Sequence, residues 1–416
     1  MFYDKKTEML ISQLVTQYRY PNMVPIQQIF DPTHIEDIQE EVKKQLILPN
    51  IKMQMKKVKK GDTIAITVGS RQIANLPLIV KTLAEELKKI GACPFVVPAM
   101  GSHGGATAEG QKAIVESYGM SESYTGIPIK STMETTNIGL TEDGRPTFID
   151  AYAAKANYII ALNRIKPHTS FRGKYESGLM KILVIGLGKQ RGAEICHNEG
   201  FGRMAYNIEM FGKSIITHAP ILLGIGIVEN AFDKTFKIEA LTPQQIISEE
   251  PKLLSLAKEK MGKILFSSCD VLIVDQIGKN ISGGGMDPNI TGRFSTSYAT
   301  GGIKAQTVTV LDMTKESHGS ALGIGVAETT TQKLWIKLAF LMDILTVLLH
   351  LSFPIVVYQL FFLMTRRLSG DVSDYVLALT VTMPKSSELK ILSIWIKSKS
   401  LLPCWMKQKK IQIFGF

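Results

Sequence analysis

Between Asp62 and Tyr118 the chain alternates strand and helix signals, and this alternation constrains the fold more than any other feature. Asp62–Val68 (DTIAITV) reads as a short buried strand. Asn75 stands where a helix cap is expected. Leu76, Ile79, Val80, Leu83 and Leu87 then recur at i, i+3, i+4, i+7 and i+11, one apolar helix face. Gly91 stops that helix, and Cys93–Met100 (CPFVVPAM) reads as the next strand. The loop Gly101-Ser102-His103-Gly104-Gly105 follows, then a helix over Ala106–Tyr118. Such a β-α-β-α run predicts an α/β fold with parallel-rich sheets flanked by helices. Tyr158–Leu162 and Ile221–Val228 add strands, Thr242–Lys258 a helix with Pro243 near its start, and Asp270–Ile277 another strand. The expected organisation is an N-terminal α/β domain over 1–240, a second α/β lobe over 241–332 and an atypical tail over 333–416. In open sheets ligands sit at the carboxyl ends of strands. Arg71, His103 and His168 each follow a predicted strand, which predicts one shared site.

Composition narrows the function classes. With 416 residues, 45% hydrophobic and 20% charged, the chain is too apolar to be disordered. Its four cysteines (Cys93, Cys196, Cys269 and Cys404) form no CxxC pair, which excludes a disulfide scaffold and a cysteine-cage zinc site. The first residues, MFYDKKTEML, hold no apolar signal core, so a reducing cytoplasm is the expected compartment. The net charge of +11 is uneven. Residues 333–416 hold 11 Lys/Arg against 4 Asp/Glu, whereas the preceding 332 hold 37 against 33. The main body is thus only mildly basic. Its run Lys56, Lys57, Lys59 and Lys60 reads as a solvated loop or helix end, and no nucleic-acid partner is expected. The tail carries all three Trp and a nearly continuous apolar stretch over 338–364 followed by Arg366 and Arg367. Its length and flank permit a membrane span, so membrane association is expected only if this stretch inserts. A buried segment, or a frameshifted or truncated reading frame, accounts for the same break in composition.

Four segments could carry chemistry. In GSHGGATAEGQ (101–111), glycines let backbone approach a ligand and the following helix offers N–H groups to an anion. A tight turn with a capping histidine is the plainer account. In IKPHTSFRGKYESGLMK (165–181), Pro167 fixes the backbone before His168. An exposed basic loop accounts for Arg172 and Lys174, but not for Lys181, which lies inside the apolar run GLMKILVIGLG and must snorkel, pair or react. His197 lies 16 residues after Lys181, beside Cys196 and outside any HxxxH motif, so it is either a structural histidine or a lone metal ligand. In DQIGKNISGGGMDPNITGR (275–293), Lys279 follows a strand and opens a turn-rich loop, either a linker or a substrate-facing lid.

Taken together, these segments resemble the nickel-pincer lactate racemase family over most of residues 10–330. The resemblance rests on the GxHxGxT turn of Gly101–Thr107, Pro167-His168, the SGxxK of Ser177–Lys181, and the histidine 16 residues on. It implies two α/β lobes with the active site in the cleft between them. It implies racemisation or epimerisation of a 2-hydroxy acid by hydride transfer to and from a nickel-pincer nucleotide, a pyridinium-3-thioamide-5-thiocarboxylic acid mononucleotide made by dedicated biosynthetic enzymes. By resemblance Lys181 is the covalent anchor, His197 the nickel ligand, and His103 and His168 the two general bases. Gly104, Gly105 and Arg71 would lie against cofactor, and Lys279 would clamp the substrate carboxylate. The family's D-x-T-R-P strand end is here Val68-Gly69-Ser70-Arg71-Gln72, its arginine after the turn histidine is Gly104, and the loop from His168 to Lys181 is about three residues longer. These departures lie near the expected substrate, so the 2-hydroxy acid is either lactate or a related one, larger or a sugar acid. Two other readings remain: an inactive or membrane-attached relative with a defective C-terminal lobe, and a phosphate-binding α/β enzyme built on Gly101–Gly105.

Overall fold

The computed structural model describes residues 9, 10, 13, 22–320, 324–338, 377–382 and 390–396. The chain divides into two compact units, one of residues 30–262 with 294–300, the other of 1–29, 263–293 and 301–416. Strand β1 (Asn22–Gln27) belongs to the smaller unit. The larger unit holds β2 (Thr63–Val68), β3 (Cys93–Pro98), β4 (Thr135–Leu140), β5 (Pro146–Asp150), β6 (Tyr158–Arg164), β7 (Ile221–Glu229) and β8 (Thr235–Leu241). Its main sheet has the order β3-β2-β6-β7-β8, parallel except for the β7–β8 pair.

Both faces of that sheet are covered, so its strands are apolar on both sides. Ile64, Ile66 and Val68 of β2 and Ile160 and Leu162 of β6 face the helices Ile38–Leu46 and Leu76–Lys89. Ala65, Ile159 and Ala161, one residue out of phase, face the helices Phe201–His218 and Pro243–Lys260. The β-α-β-α reading of residues 62–118 holds, with a tighter turn. Gly104–Ala106 is a single 3-10 turn, and the helix proper is Ala108–Ser117, capped by the Thr107 hydroxyl accepting from Gly110 N–H. Asn75 does not cap its helix: its backbone is left-handed and its amide donates to Thr235 Oγ1 at 3.0 Å. Thr242 and Gln245 form a reciprocal capping box at the start of Pro243–Lys260. That helix packs on the main sheet, so the larger unit runs to Gly262, past the residue-240 boundary expected from sequence.

The smaller unit adds β9 (Ser268–Ile277), β10 (Lys304–Met313), β11 (Thr329–Thr330), β12 (Leu377–Thr382) and β13 (Lys390–Ile396). They form one sheet with β1, in the order β1-β13-β12-β9-β10-β11. Strands β12, β9, β10 and β11 run parallel, while β13 is antiparallel to both neighbours. The fold is thus α/β with parallel-rich sheets. Among the described residues no helix is long and apolar enough to cross a membrane. The candidate membrane stretch over 338–364 lies, but for Leu338, outside the described residues, as does most of the tail for which a frameshift or truncation was considered.

Candidate active site

Three neighbouring parallel strands of the larger unit end in the three residues expected to share a site. Arg71 follows β2, His103 follows β3 and His168 follows β6. Lys181 comes from the short helix Leu179–Lys181, which runs on through a π-helical turn, Ile182–Gly186, closed by Leu187 N–H on Ile182 O at 2.7 Å. Such turns occur frequently at functional sites. His197 ends the helix Lys189–His197.

The charges converge. His168 feels Lys181, Lys166, His197 and Arg172, and Lys181 feels Arg71 and Lys166. The Lys181 amine is enclosed by protein, keeps some contact with solvent, and makes no hydrogen bond or ion pair among the described residues. Burial, with Arg71 and Lys166 adding, lowers its pKa to about 8, so a useful fraction is neutral and nucleophilic near neutral pH. Burial, then these same cations, hold His168 well below the ordinary imidazole range. Cys196 is buried with its thiol 3.7 Å from Met204 Sδ, and burial pushes its pKa up to about 12 although Lys181 and Arg145 pull it the other way. It is a packed thiol rather than a metal ligand. His197 donates Nδ1–H to Ala193 O at 2.6 Å, which fixes the tautomer and the orientation of its ring. Among the described residues no group of three or more His, Cys, Asp or Glu is arranged for a metal ion.

The Gly-rich turn is fastened from below. Gly101 N–H reaches Gly186 O, and a side chain at Gly101 would touch Ile185 and Ala193, so the His103 turn lies against the segment leading to His197. Lys189, wholly buried with a left-handed backbone, ties Pro98 O, Gln111 and Asp150 together beneath it. The two glycines differ. A Cβ on Gly104 would fall 2.6 Å from Gly110 C, so Gly104 serves close packing with the helix rather than approach to a ligand. Gly105 meets nothing within 4 Å and keeps its open side. Lys279 belongs to the smaller unit, in the turn after β9, where its N–H donates to Ser317 Oγ.

Sequence reasoning missed the residues that hold this site. Glu176, buried, accepts His168 N–H at 2.7 Å and pairs with Arg172 and Lys258. Arg172 is not an exposed loop cation: it also binds His168 O and Thr300 O. Glu250, fully buried, accepts from Met180 N–H at the head of the helix that presents Lys181. A Cβ on Gly178 would lie 2.1 Å from Glu250 Oε1. On the opposite side, Arg145 in the β4–β5 hairpin turn binds Asn207, which donates to Cys196 O beside His197. Glu176→Gln removes the shared charge and should cost about 2 to 3 kcal/mol in urea unfolding while loosening the His168 loop. Gly178→Ala should cost about 1 to 3 kcal/mol, because the carboxyl it meets is fixed; an unchanged midpoint would contradict that packing.

Residues 20–205 match the family described as the lactate racemase N-terminal domain. That span includes Arg71, His103, His168, Lys181 and His197. No curated protein matches the chain. A similar solved structure is the lactate racemase apoprotein from Thermoanaerobacterium thermosaccharolyticum, 13% identical, covering 70% of this chain and 74% of that one with a TM-score of 0.45. Over residues 20–205, somewhat less than half of its length, the chain is therefore similar to the lactate racemase N-terminal domain.

Proposed function

We propose that the protein is a racemase or epimerase of a 2-hydroxy acid, working in the cytoplasm with a nickel-pincer nucleotide held covalently on Lys181. The observation that carries this reading is the Lys181 amine: enclosed, without an acidic partner among the described residues, and depressed to about 8. An ordinary structural lysine is paired or solvated. The donor set fits such a group. Lys181 would be its covalent attachment, His197 its protein ligand to nickel, and Arg71 with Lys166 the counter-charges to its anionic parts. When bound, the group supplies an acceptor for hydride from the substrate carbon.

The protein's own share is proton handling and binding. A 2-hydroxy acid carries a carboxylate, so its Cα–H is a very weak acid and proton removal at carbon is disfavoured. Removing the hydroxyl proton instead needs a positioned base, and His103 and His168 are our candidates. Lys279 is our candidate for the carboxylate clamp. The other partners we propose are the enzymes that make the cofactor; no nucleic acid is needed by this chemistry.

Co-expression with cofactor-making enzymes should raise the intact mass of the chain and load about one nickel per chain, and His197→Ala should lose the nickel. A well-folded protein from such cells that carries neither modification nor nickel would refute the reading. It would favour an inactive relative, to which the Val68 and Gly104 departures also belong. ATP or NAD raising the melting temperature where nickel and cofactor do not would favour a phosphate-binding enzyme.

A further inference from the structure

Lys189 joins separate parts of the site through one buried amine. Its Nζ donates to Pro98 O at the end of β3 and to Gln111 Oε1 at 2.8 Å, and it lies 3.2 Å from Asp150 Oδ2. Three N–H groups thus meet three acceptors. Gln111 carries the contact onward. With its Oε1 turned to the amine, its Nε2 donates to Gly101 O at 2.7 Å and to His103 O at 3.2 Å. Lys189, Gln111 and Asp150 are all fully buried. The network therefore holds the strand end, the start of the Gly-rich turn and the backbone of His103 itself.

The same lysine opens the helix Lys189–His197, at the bend that separates it from the π-helical turn after Lys181. A Cβ on Gly188 would lie 2.3 Å from Val184 O, so glycine serves close packing there, and its backbone is right-handed at φ −66°. The left-handed conformation falls on Lys189 instead, at φ 54°, where a side chain is disfavoured. Such a residue persists where its surroundings over-determine it. Asp150 does so from β5: its N–H donates to Leu187 O at 2.7 Å while its carboxylate meets the Lys189 amine, which pins both sides of the bend. We propose that Lys189 is a positioning residue that sets His103 and His197 relative to each other, with Gln111 as the arm that reaches the His103 turn. This role rests on reading those histidines as a base and a nickel ligand of one site.

The chemistry needs such a device. A base acts only within hydrogen-bond reach of the proton it takes, and a metal ligand decides where the group it holds is placed. A misplacement of about 1 Å between the two costs on the order of 10²-fold in rate. The turn has little stiffness of its own, since Gly101, Gly104 and Gly105 all have left-handed backbones. Stiffness comes from the buried network beneath it.

Native-state hydrogen exchange of the unloaded full chain tests this. In the parent, the amides of Gly101 and His103 should exchange within about tenfold of those in β3, although they stand in a turn. Gln111→Glu keeps an oxygen for Lys189 but sets a second oxygen against Gly101 O and His103 O. It should speed exchange at Gly101 and His103 by at least about tenfold and leave the helix Lys189–His197 and β6 unchanged. Lys189→Met keeps the stem and removes the amine, so turn and helix should both loosen while β6 does not. A purely structural role would instead speed β6 and the turn alike. That uniform response, or a parent turn that exchanges orders of magnitude faster than β3, would overturn the proposal. If Lys189→Met fails to fold, the parent and Gln111→Glu still decide it. In the loaded enzyme Gln111→Glu should lower kcat about 10²-fold with little change in KM, and an unchanged kcat would also overturn the proposal. Exchange needs no cofactor, so a chain that never loads refutes the functional reading and leaves the network to be judged by exchange alone.

Discussion

Replacing Lys181 with methionine should abolish both the added mass and the racemisation of any 2-hydroxy acid, by at least about 10⁴-fold, while making the protein more stable. The loss follows from the amine being the covalent anchor, a role no thioether can fill. The gain follows from electrostatics. Lys181 has a folded-state pKa of about 8 against 10.5 for a free lysine. Between those values the unfolded chain binds the extra proton, so stability rises with pH from about 8 to 10.5 and is least below 8. At pH 7 the protein therefore carries the full cost of an enclosed cation, about 1 to 3 kcal/mol once its remaining solvent contact is allowed for. Lys181→Met keeps the stem and removes that cost, so its urea midpoint should rise at pH 7 and converge with the parent's near pH 10.5. A variant that loses stability at pH 7 would mean that the amine is a structural partner, and the anchor role would lose its main support. Function bought with stability is the expected signature of a reactive side chain.

Local patterns made the larger unit readable, and the same patterns explain what was missed. Strands β2, β3, β6 and β7 are apolar on both faces, and the helix Leu76–Lys89 keeps one apolar stripe, so composition and period alone locate them. Arg71, His103 and His168 were placed correctly at strand ends because strand ends can be read from sequence. The β4–β5 hairpin was not foreseen, although Asp143-Gly144 is a turn signal, because β4 is only partly buried and lacks a strong alternation. Glu176 looks like a solvated acid beside Lys174; its burial depends on Lys258, which is 82 residues away. Glu250 was legible in principle. Ile246, Leu253, Leu254 and Ala257 mark the buried face of its helix, and Glu250 falls on that face while Glu249 pairs with Lys252 outside.

The same Glu250 leads to the second large effect, a stability that declines with pH where most proteins are at their best. Its carboxyl is sealed among apolar side chains, with one oxygen accepting from Met180 N–H and the other, Oε1, buried without a hydrogen bond. Burial raises its pKa from 4.5 to about 8, and the backbone N–H groups of Met180 and Leu179 only partly oppose that. Between pH 4.5 and 8 the folded chain thus binds one proton more than the unfolded chain. Stability is highest below pH 4.5 as far as this group is concerned, falls by about 1.4 kcal/mol per pH unit, and levels off above 8. The total is on the order of 5 kcal/mol, a large part of a typical domain's stability of roughly 5 to 15 kcal/mol. Glu250→Gln mimics the protonated acid and still accepts from Met180. It should match the parent in urea unfolding at pH 4.5 and exceed it by several kcal/mol at pH 9, whereas Glu250→Ala should weaken the fold at both. Parallel pH curves for the parent and Glu250→Gln would show that the carboxyl is not held neutral. Because Met180 directly precedes Lys181, a charge forced into this buried position should loosen the helix that presents the anchor. Covalent loading of Lys181 should therefore slow above pH 8 in the parent and not in Glu250→Gln, even though a more alkaline solution makes the amine itself more nucleophilic.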